Sequence, residues 1–378
     1  MVSSTTTSTG SFASAPIENT GAAPYPWIIS KNFDFFFVCG GAVWILLAIN
    51  YLFLGWTVPV SSTIGDPLAR FLMIVILIGQ HVSADSHNAA TYLRIYGSQE
   101  DRSRFHFYGK WLALSCIPVF FMGINVPSLA GAFVLIYLLT VFWHYAAQTF
   151  GVSLIYCYKQ GYFLKSKEKE IYRGFILSMS ALILVRLMTF QELSPKNFFG
   201  VELPFWGPLP LWFYHGCLVV FIGFTVAFSV VLLKNLVVEK KMMPWPALLC
   251  ISTIALIGFS YGTLSTMVWF YIPVFFHGTQ YLAVCLSYYL KERGLPEHTA
   301  PSQMSQLVMS PTGLQYLGLV ILIGAFLYVA IPHICQSIGY DYALVAGVVL
   351  ATVNYHHFIT DAAIWRLRDP RCRQILLA

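Results

Sequence analysis

Histidine recurs at four places in this chain within long apolar runs, each time beside a second polar residue at helical spacing. The stretch 354–369, NYHHFITDAAIWRLRD, carries His356, His357 and Asp361. Three further stretches repeat the theme: GQHVSADSH with His81, Asp85 and His87, FWHYAAQ with His144 and Gln148, and FFHGTQY with His277 and Gln280. His81/Asp85, His144/Gln148 and His357/Asp361 stand at i, i+4 and His277/Gln280 at i, i+3, so each pair shares one helix face. Neutral imidazole is the commonest nitrogen ligand of protein-bound metals. Several imidazoles with one or two carboxylates, and no thiolate at the same depth, suit iron, zinc, copper or manganese. The candidate ligands of one or two ions are His81, His87, His144, His277, His356 and His357. Asp85 and Asp361 are the candidate catalytic carboxylates. A metal-bound imidazole generally gives its other nitrogen to a carboxylate or amide, and Asp85, Gln148, Gln280 and Asp361 are spaced to take that role. His106, His215, His298 and His333 fall in loops or near the ends of runs and read as ordinary surface residues.

The elements that must position these groups are membrane helices. With 57% hydrophobic residues, 10% charged residues and a mean hydropathy of +0.68, the chain is far more apolar than a soluble domain. The formal charge of +6 sits in short loops between apolar runs, which argues against nucleic acid and for the positive-inside asymmetry of a multi-pass membrane protein. Against the ~20 residues of a spanning helix, ten runs can be counted: Phe35–Trp56, Leu68–Leu93, Trp111–Val126, Leu129–Cys157, Ile171–Phe190, Leu209–Val237, Trp245–Tyr261, Leu264–Leu290, Gly313–Ile334 and Tyr342–Leu367. With the N-terminus inside, this count places nearly every loop cation on the cytoplasmic side, from Lys31 to Arg373, with Lys196 opposite. The expectation is an all-α bundle of about ten spans with both termini cytoplasmic, in a plasma membrane or a thylakoid-type inner membrane. Asp34 and the Arg366/Arg368 pair read as interface markers. Residues 1–30, rich in Ser, Thr, Ala and Pro, read as a disordered tail before a single transmembrane domain over 31–378. The eight cysteines show no pairing pattern and read as free thiols.

The same count sets a depth. The second, fourth, eighth and tenth runs all travel inward, and His81, His144, His277 and His356 lie 13 to 15 residues after their starts. At 1.5 Å per residue all four reach ~20 Å below the outer surface. Ionisable groups so placed are costly and mark function by default. The expectation is that His81, His144, His277 and one of His356/His357 converge on a common centre, with His87 joining if two ions are held. Oxygen dissolves in lipid and lipid chains are its neighbours there, so oxidation of a lipophilic substrate by O₂ at iron is the chemistry that fits. An electron donor or a membrane complex on the cytoplasmic side is the partner such chemistry implies.

Histidines at one depth on several spans of a ten-helix chain resemble the integral-membrane carotene dioxygenases of the Brp/Blh kind. That resemblance implies a non-haem iron held by histidines and a polyene as substrate. The ending H-x-x-x-D-x-x-I-W-[RK], His357 to Arg366 here, also resembles that of uncharacterised bacterial polytopic membrane proteins. The boxes H-x-x-x-H and H-x-x-H-H of the desaturases are absent, and His81/His87 at i+6 are about 120° out of alignment on an α-helix. Bis-histidine haem in electron transfer, histidine-ligated chlorophyll in a membrane complex and a proton-coupled His/Asp transporter are the alternatives.

Overall fold

The computed structural model describes residues 25–49, 52, 71, 74–75, 77–198, 200–260, 267–294 and 301–378, with the side chains of 267–271 and 301 left aside. The expected tail lies outside these residues as far as 24. From Tyr25 the chain is already packed. The backbone N–H groups of Ile28, Ile29 and Ser30 donate to the Asp34 carboxylate at 2.6, 3.0 and 3.3 Å, and the Tyr156 hydroxyl donates to it at 2.8 Å. Asp34 is therefore a buried anchor for the entry segment, where the sequence suggested an interface marker.

α1 (Lys31–Val38) and α2 (Gly41–Ile49) meet at 58°. Gly40 forms the corner at φ +90°, and a Cβ there would collide with Thr253 and Phe276. Breaking a helix in apolar surroundings orphans backbone carbonyls, which neighbours must satisfy. The Thr279 hydroxyl donates to Phe37 O at 3.0 Å, Gln280 Nε2 to Val38 O at 2.8 Å and Thr253 Oγ1 to Cys39 O at 2.9 Å. A π-helical turn, Gln80–Asp85, runs into α3 (Ser86–Tyr96). There follow α4 (Gln99–Arg104), α5 (Phe107–Asn125), α6 (Pro127–Lys159) and α7 (Ser166–Thr189). A two-residue antiparallel pair, β1 (Asn197–Phe198) and β2 (Val201–Glu202), leads to α8 (Leu211–Val237). The rest is α9 (Trp245–Ser260), α10 (Met267–Glu292), α11 (Met304–Val308), α12 (Pro311–Ser337), α13 (Tyr342–Ile364) and α14 (Pro370–Leu377).

Six helices among the described residues, α5, α6, α7, α8, α12 and α13, are long and apolar enough to cross a membrane, or seven if α1 and α2 form one bent span. The exterior is apolar to match: α8 exposes Val219, Val220, Val230 and Leu233, a face that water would not tolerate at this extent. The molecule is an all-α membrane protein. Of the remaining runs, α9 has 16 described residues, about 24 Å at 1.5 Å per residue, and Tyr261, the last residue of the expected run, lies outside the described residues. α10 has 26 residues, and His277, Gln280, Tyr281, Ser287 and Tyr288 dilute its apolar character. The run Leu68–Leu93 lies partly outside the described residues. At the centre stand α3, α6, α10 and α13. α13 packs on α3, α5, α6 and α12, α10 packs on α1, α3 and the π-helical turn, and α7 and α8 pair outside α6.

Candidate metal centre

Each central helix sends one imidazole to a shared point: His87 from α3, His144 from α6, His277 from α10 and His357 from α13. All four are buried, with relative exposures of 1 to 5%. Ring centroids stand 4.7 Å apart for His87/His357 and 4.8 Å apart for His87/His277, His144/His277 and His144/His357. Asp361, one turn beyond His357 on the same face, completes the group. Its Oδ2 lies 3.3 Å from His357 Nε2 and 3.9 Å from His144 Nε2, and the two Nε2 atoms are 3.1 Å apart.

Hydrogen bonds decide what these atoms can do. A backbone carbonyl only accepts, so the contact between His87 Nδ1 and Ala84 O makes Nδ1 the donor and leaves Nε2 with its lone pair. That Nε2 is buried without a hydrogen-bond partner among the described residues, as are both ring nitrogens of His277. Buried polar atoms are rarely left so, since an unmet bond costs about 1–3 kcal/mol. His357 Nδ1 lies 2.7 Å from Thr91 Oγ1, which lies 3.3 Å from Asp361 Oδ1. Tyr281 donates to the same Oδ1 at 2.7 Å and receives the Trp365 indole N–H at 3.0 Å. Read in one direction, His357 Nδ1–H gives to Thr91 and Thr91 gives to Asp361. His357 Nε2 and Asp361 Oδ2 are then free to face His144.

No protein-family model, curated protein or solved structure matches this chain. His87, His277 and His357 can each present a nitrogen such that all three lie within 4.8 Å of one another, and the same holds for nitrogens of His144 and His357 with a carboxylate oxygen of Asp361. Ligand bonds of about 2.0–2.2 Å place neighbouring donor atoms about 3–3.5 Å apart. Two of the three separations around Asp361, 3.1 and 3.3 Å, already have that size. Each group, three nitrogens in one and two nitrogens with a carboxylate oxygen in the other, offers donors that suit a first-row transition metal.

Not every expected ligand comes to this point. His81 has a 33% exposed side chain and pairs with Asp85 at 3.0 Å, away from the four imidazoles. Asp85 otherwise takes Gln80 Nε2 at 3.4 Å. His87, expected only as an additional ligand, occupies the place expected for His81. The two histidines are out of phase on the helix, so one alone can face inward. His356 donates Nε2–H to Tyr108 O at 2.9 Å and stacks on Tyr92 at 5.0 Å, tying α13 to α3 and α5. Gln148 gives its Nε2 to His277 O at 3.1 Å and to Gln280 Oε1 at 3.0 Å, and Gln280 holds the end of α1. Both amides brace backbone and touch no imidazole nitrogen. Within the cluster Ala84 O holds His87 Nδ1 and Thr91 holds His357 Nδ1. Thr91 and Tyr281 escaped the sequence reading, although each stands four residues after a histidine of the cluster.

Two expectations follow from this placement. Alanine at His81 or at His356 should leave the metal content of the purified protein at the parent level, whereas alanine at His87 should abolish it, as elemental analysis would show. Gly278 lets α10 approach the π-helical turn: a Cβ there would stand 2.7 Å from Ser83 O and 3.0 Å from Ala84 Cα. Gly278→Val must push apart the two backbones that carry His277 and the Ala84 acceptor. It should lose metal affinity by at least the ~10–100-fold typical of a disturbed supporting shell, checked by metal titration.

A cavity of about 170 Å³ opens beside the cluster. His144, Gln148, Tyr281 and Asp361 supply its polar wall, and Trp143, Val152, Ile155, Val284, Phe358 and Leu376 contribute apolar surface. Trp143 is 43% exposed on the outside of α6, so the cavity lies next to the apolar exterior.

Proposed function

We propose that the protein is a membrane-embedded metal-dependent oxidoreductase. It uses iron held by His87, His144, His277, His357 and Asp361 to oxidise a lipophilic substrate of carotenoid, isoprenoid or fatty acyl type with O₂. The observation that carries this reading is a cluster of four buried imidazoles, two of them with ring nitrogens that lack a hydrogen-bond partner among the described residues, with one carboxylate beside two of the rings. Bound iron supplies the one-electron chemistry that activates dissolved O₂. The chain's own part is to orient the donors through Ala84, Thr91 and Tyr281. It also holds an apolar substrate in the cavity beside His144 and Asp361 and keeps bulk water away. An ion suits the arrangement better than a haem or chlorophyll macrocycle, because the imidazoles pack edge to face against one another.

The test is elemental analysis and electron paramagnetic resonance of the protein purified without chelator, followed by oxygen uptake with lipid extracts. Stoichiometric iron and substrate-dependent uptake support the proposal. Absence of any stoichiometric transition metal overturns it. The ten-span arrangement with both termini cytoplasmic belongs to the same proposal. Cysteines introduced at Lys165 and Arg371 are expected to label from the same side of the membrane, and labelling from opposite sides would defeat it.

A further inference from the structure

Beyond the cluster, the hydrogen-bonded side chains continue as a series of rings toward the end of α13. The Tyr281 ring lies 5.1 Å from that of His357, Trp365 follows at 6.1 Å from Tyr281, and Tyr288 stands 5.4 Å from Trp365. Tyr281 links Asp361 Oδ1 at 2.7 Å to the Trp365 indole at 3.0 Å. Tyr281 and Tyr288 are buried, whereas Trp365 is only partly so and stands three residues before the exposed Arg368. Tyrosine and tryptophan are the aromatic side chains that give up one electron most readily. The order of rings therefore runs from the candidate metal centre to a rim bearing Arg366 and Arg368.

We propose that Tyr281 and Trp365 form an electron relay that carries reducing equivalents to the centre from a one-electron donor at the basic rim; this rests on the metal reading above. Once the centre has been oxidised by O₂, Tyr281 gives it one electron while its phenolic proton shifts along the hydrogen bond toward Asp361 Oδ1. Trp365 then gives one electron to the tyrosyl radical, and the proton returns from Asp361. The tryptophan radical cation takes one electron from the donor. One electron has moved from donor to centre, and each side chain ends as it began. The Arg94 guanidinium lies 5.6 Å from the Trp365 ring and 4.3 Å from Tyr288. A cation so close opposes a positive charge resting on either ring, so the tryptophan radical is refilled quickly from outside.

The same couplings run backward, which gives a readout independent of turnover. A ruthenium polypyridyl label on Arg368→Cys, with Cys116, Cys217 and Cys335 replaced by serine, can be photo-oxidised in the purified protein. The parent should yield a tyrosyl radical by paramagnetic resonance. Tyr281→Phe and Trp365→Phe should each lose it, and Trp365→Tyr, which keeps a redox-active ring, should retain it. A purely packing role would treat Phe and Tyr alike at 365. A radical that never forms in the parent, or that forms at the parent rate in Trp365→Phe, overturns the relay whatever the metal content. A protein that forms the radical yet holds no transition metal overturns the reading that the relay serves.

Discussion

Alanine in place of His357 is expected to strip the protein of its metal while the bundle still assembles. His357 is the one residue common to both donor groups, sharing one with His87 and His277 and the other with His144 and Asp361. Its loss also frees Thr91, which bridges to Asp361. Metal affinity should therefore fall by more than the ~10–100-fold that loss of a supporting partner costs. Helix content by circular dichroism and the detergent elution volume should stay as in the parent, because the central helices pack along their whole length and the imidazole is one contact among many. Thr91→Val should sit between the parent and His357→Ala. His144→Ala also distinguishes one ion from two: with a single ion it empties the protein, and with two it leaves half the metal on His87, His277 and His357. If every variant keeps parent activity and no metal is found in any, the imidazoles act as interhelical hydrogen bonds and the proposal falls.

That histidines of separate helices would meet was legible in the sequence, and which histidine of each helix faces inward was not. Counting residues from the starts of the runs put His144 and His277 at one common level, and the two rings stand side by side in the cluster. The same count favoured His81 and His356 no less than His87 and His357, because a level on a helix says nothing about which side of it faces inward. For α3 the phase is set by the π-helical turn Gln80–Asp85, which adds a residue to a turn and rotates all that follows. A hydropathy pattern carries no mark of that extra residue. The signal that does discriminate lies in rows at i+4. His87 precedes Thr91, His277 precedes Tyr281 and His357 precedes Asp361, and each second residue turns its oxygen to the cluster. The pairs His81/Asp85 and His144/Gln148 have the same spacing, yet among the described residues Asp85 serves His81 and Gln80, and Gln148 serves backbone and Gln280. Spacing alone overcounted, since a polar residue inside an apolar protein must satisfy broken helices as well as ligands. Gln280 shows this most directly, because the break at Gly40 that it mends leaves no trace in the apolar run 35–56 beyond two adjacent glycines.

Asp101→Ala is expected to be the most destabilising single change outside the cluster. Arg94 Nη1 meets Asp101 Oδ2 at 2.5 Å, with side-chain exposures of 5% and 0%. Arg94 Nη2 also donates to Tyr288 at 3.0 Å, and the guanidinium lies against the rings of Tyr288, Phe105 and Trp365. Removing the carboxylate strands a buried cation, a change worth about 3–5 kcal/mol in comparable buried pairs. Glu292 and Glu100 are already engaged by Arg371, at 2.9 and 2.6 Å, so neither is free to replace Asp101 without breaking another pair. The thermal midpoint in detergent should drop accordingly. Because Arg94 stands three residues after Thr91 and seven after His87 on one face of α3, metal should be lost together with the fold on heating, and not before it. The double variant Arg94→Leu/Asp101→Leu should recover much of the midpoint, since a packed apolar pair avoids the desolvation that the ion pair must overcome. Should Asp101→Ala unfold at the parent midpoint, the pair contributes nothing to the fold, and the placement of α3 behind His87 comes from its packing on α10, α12 and α13.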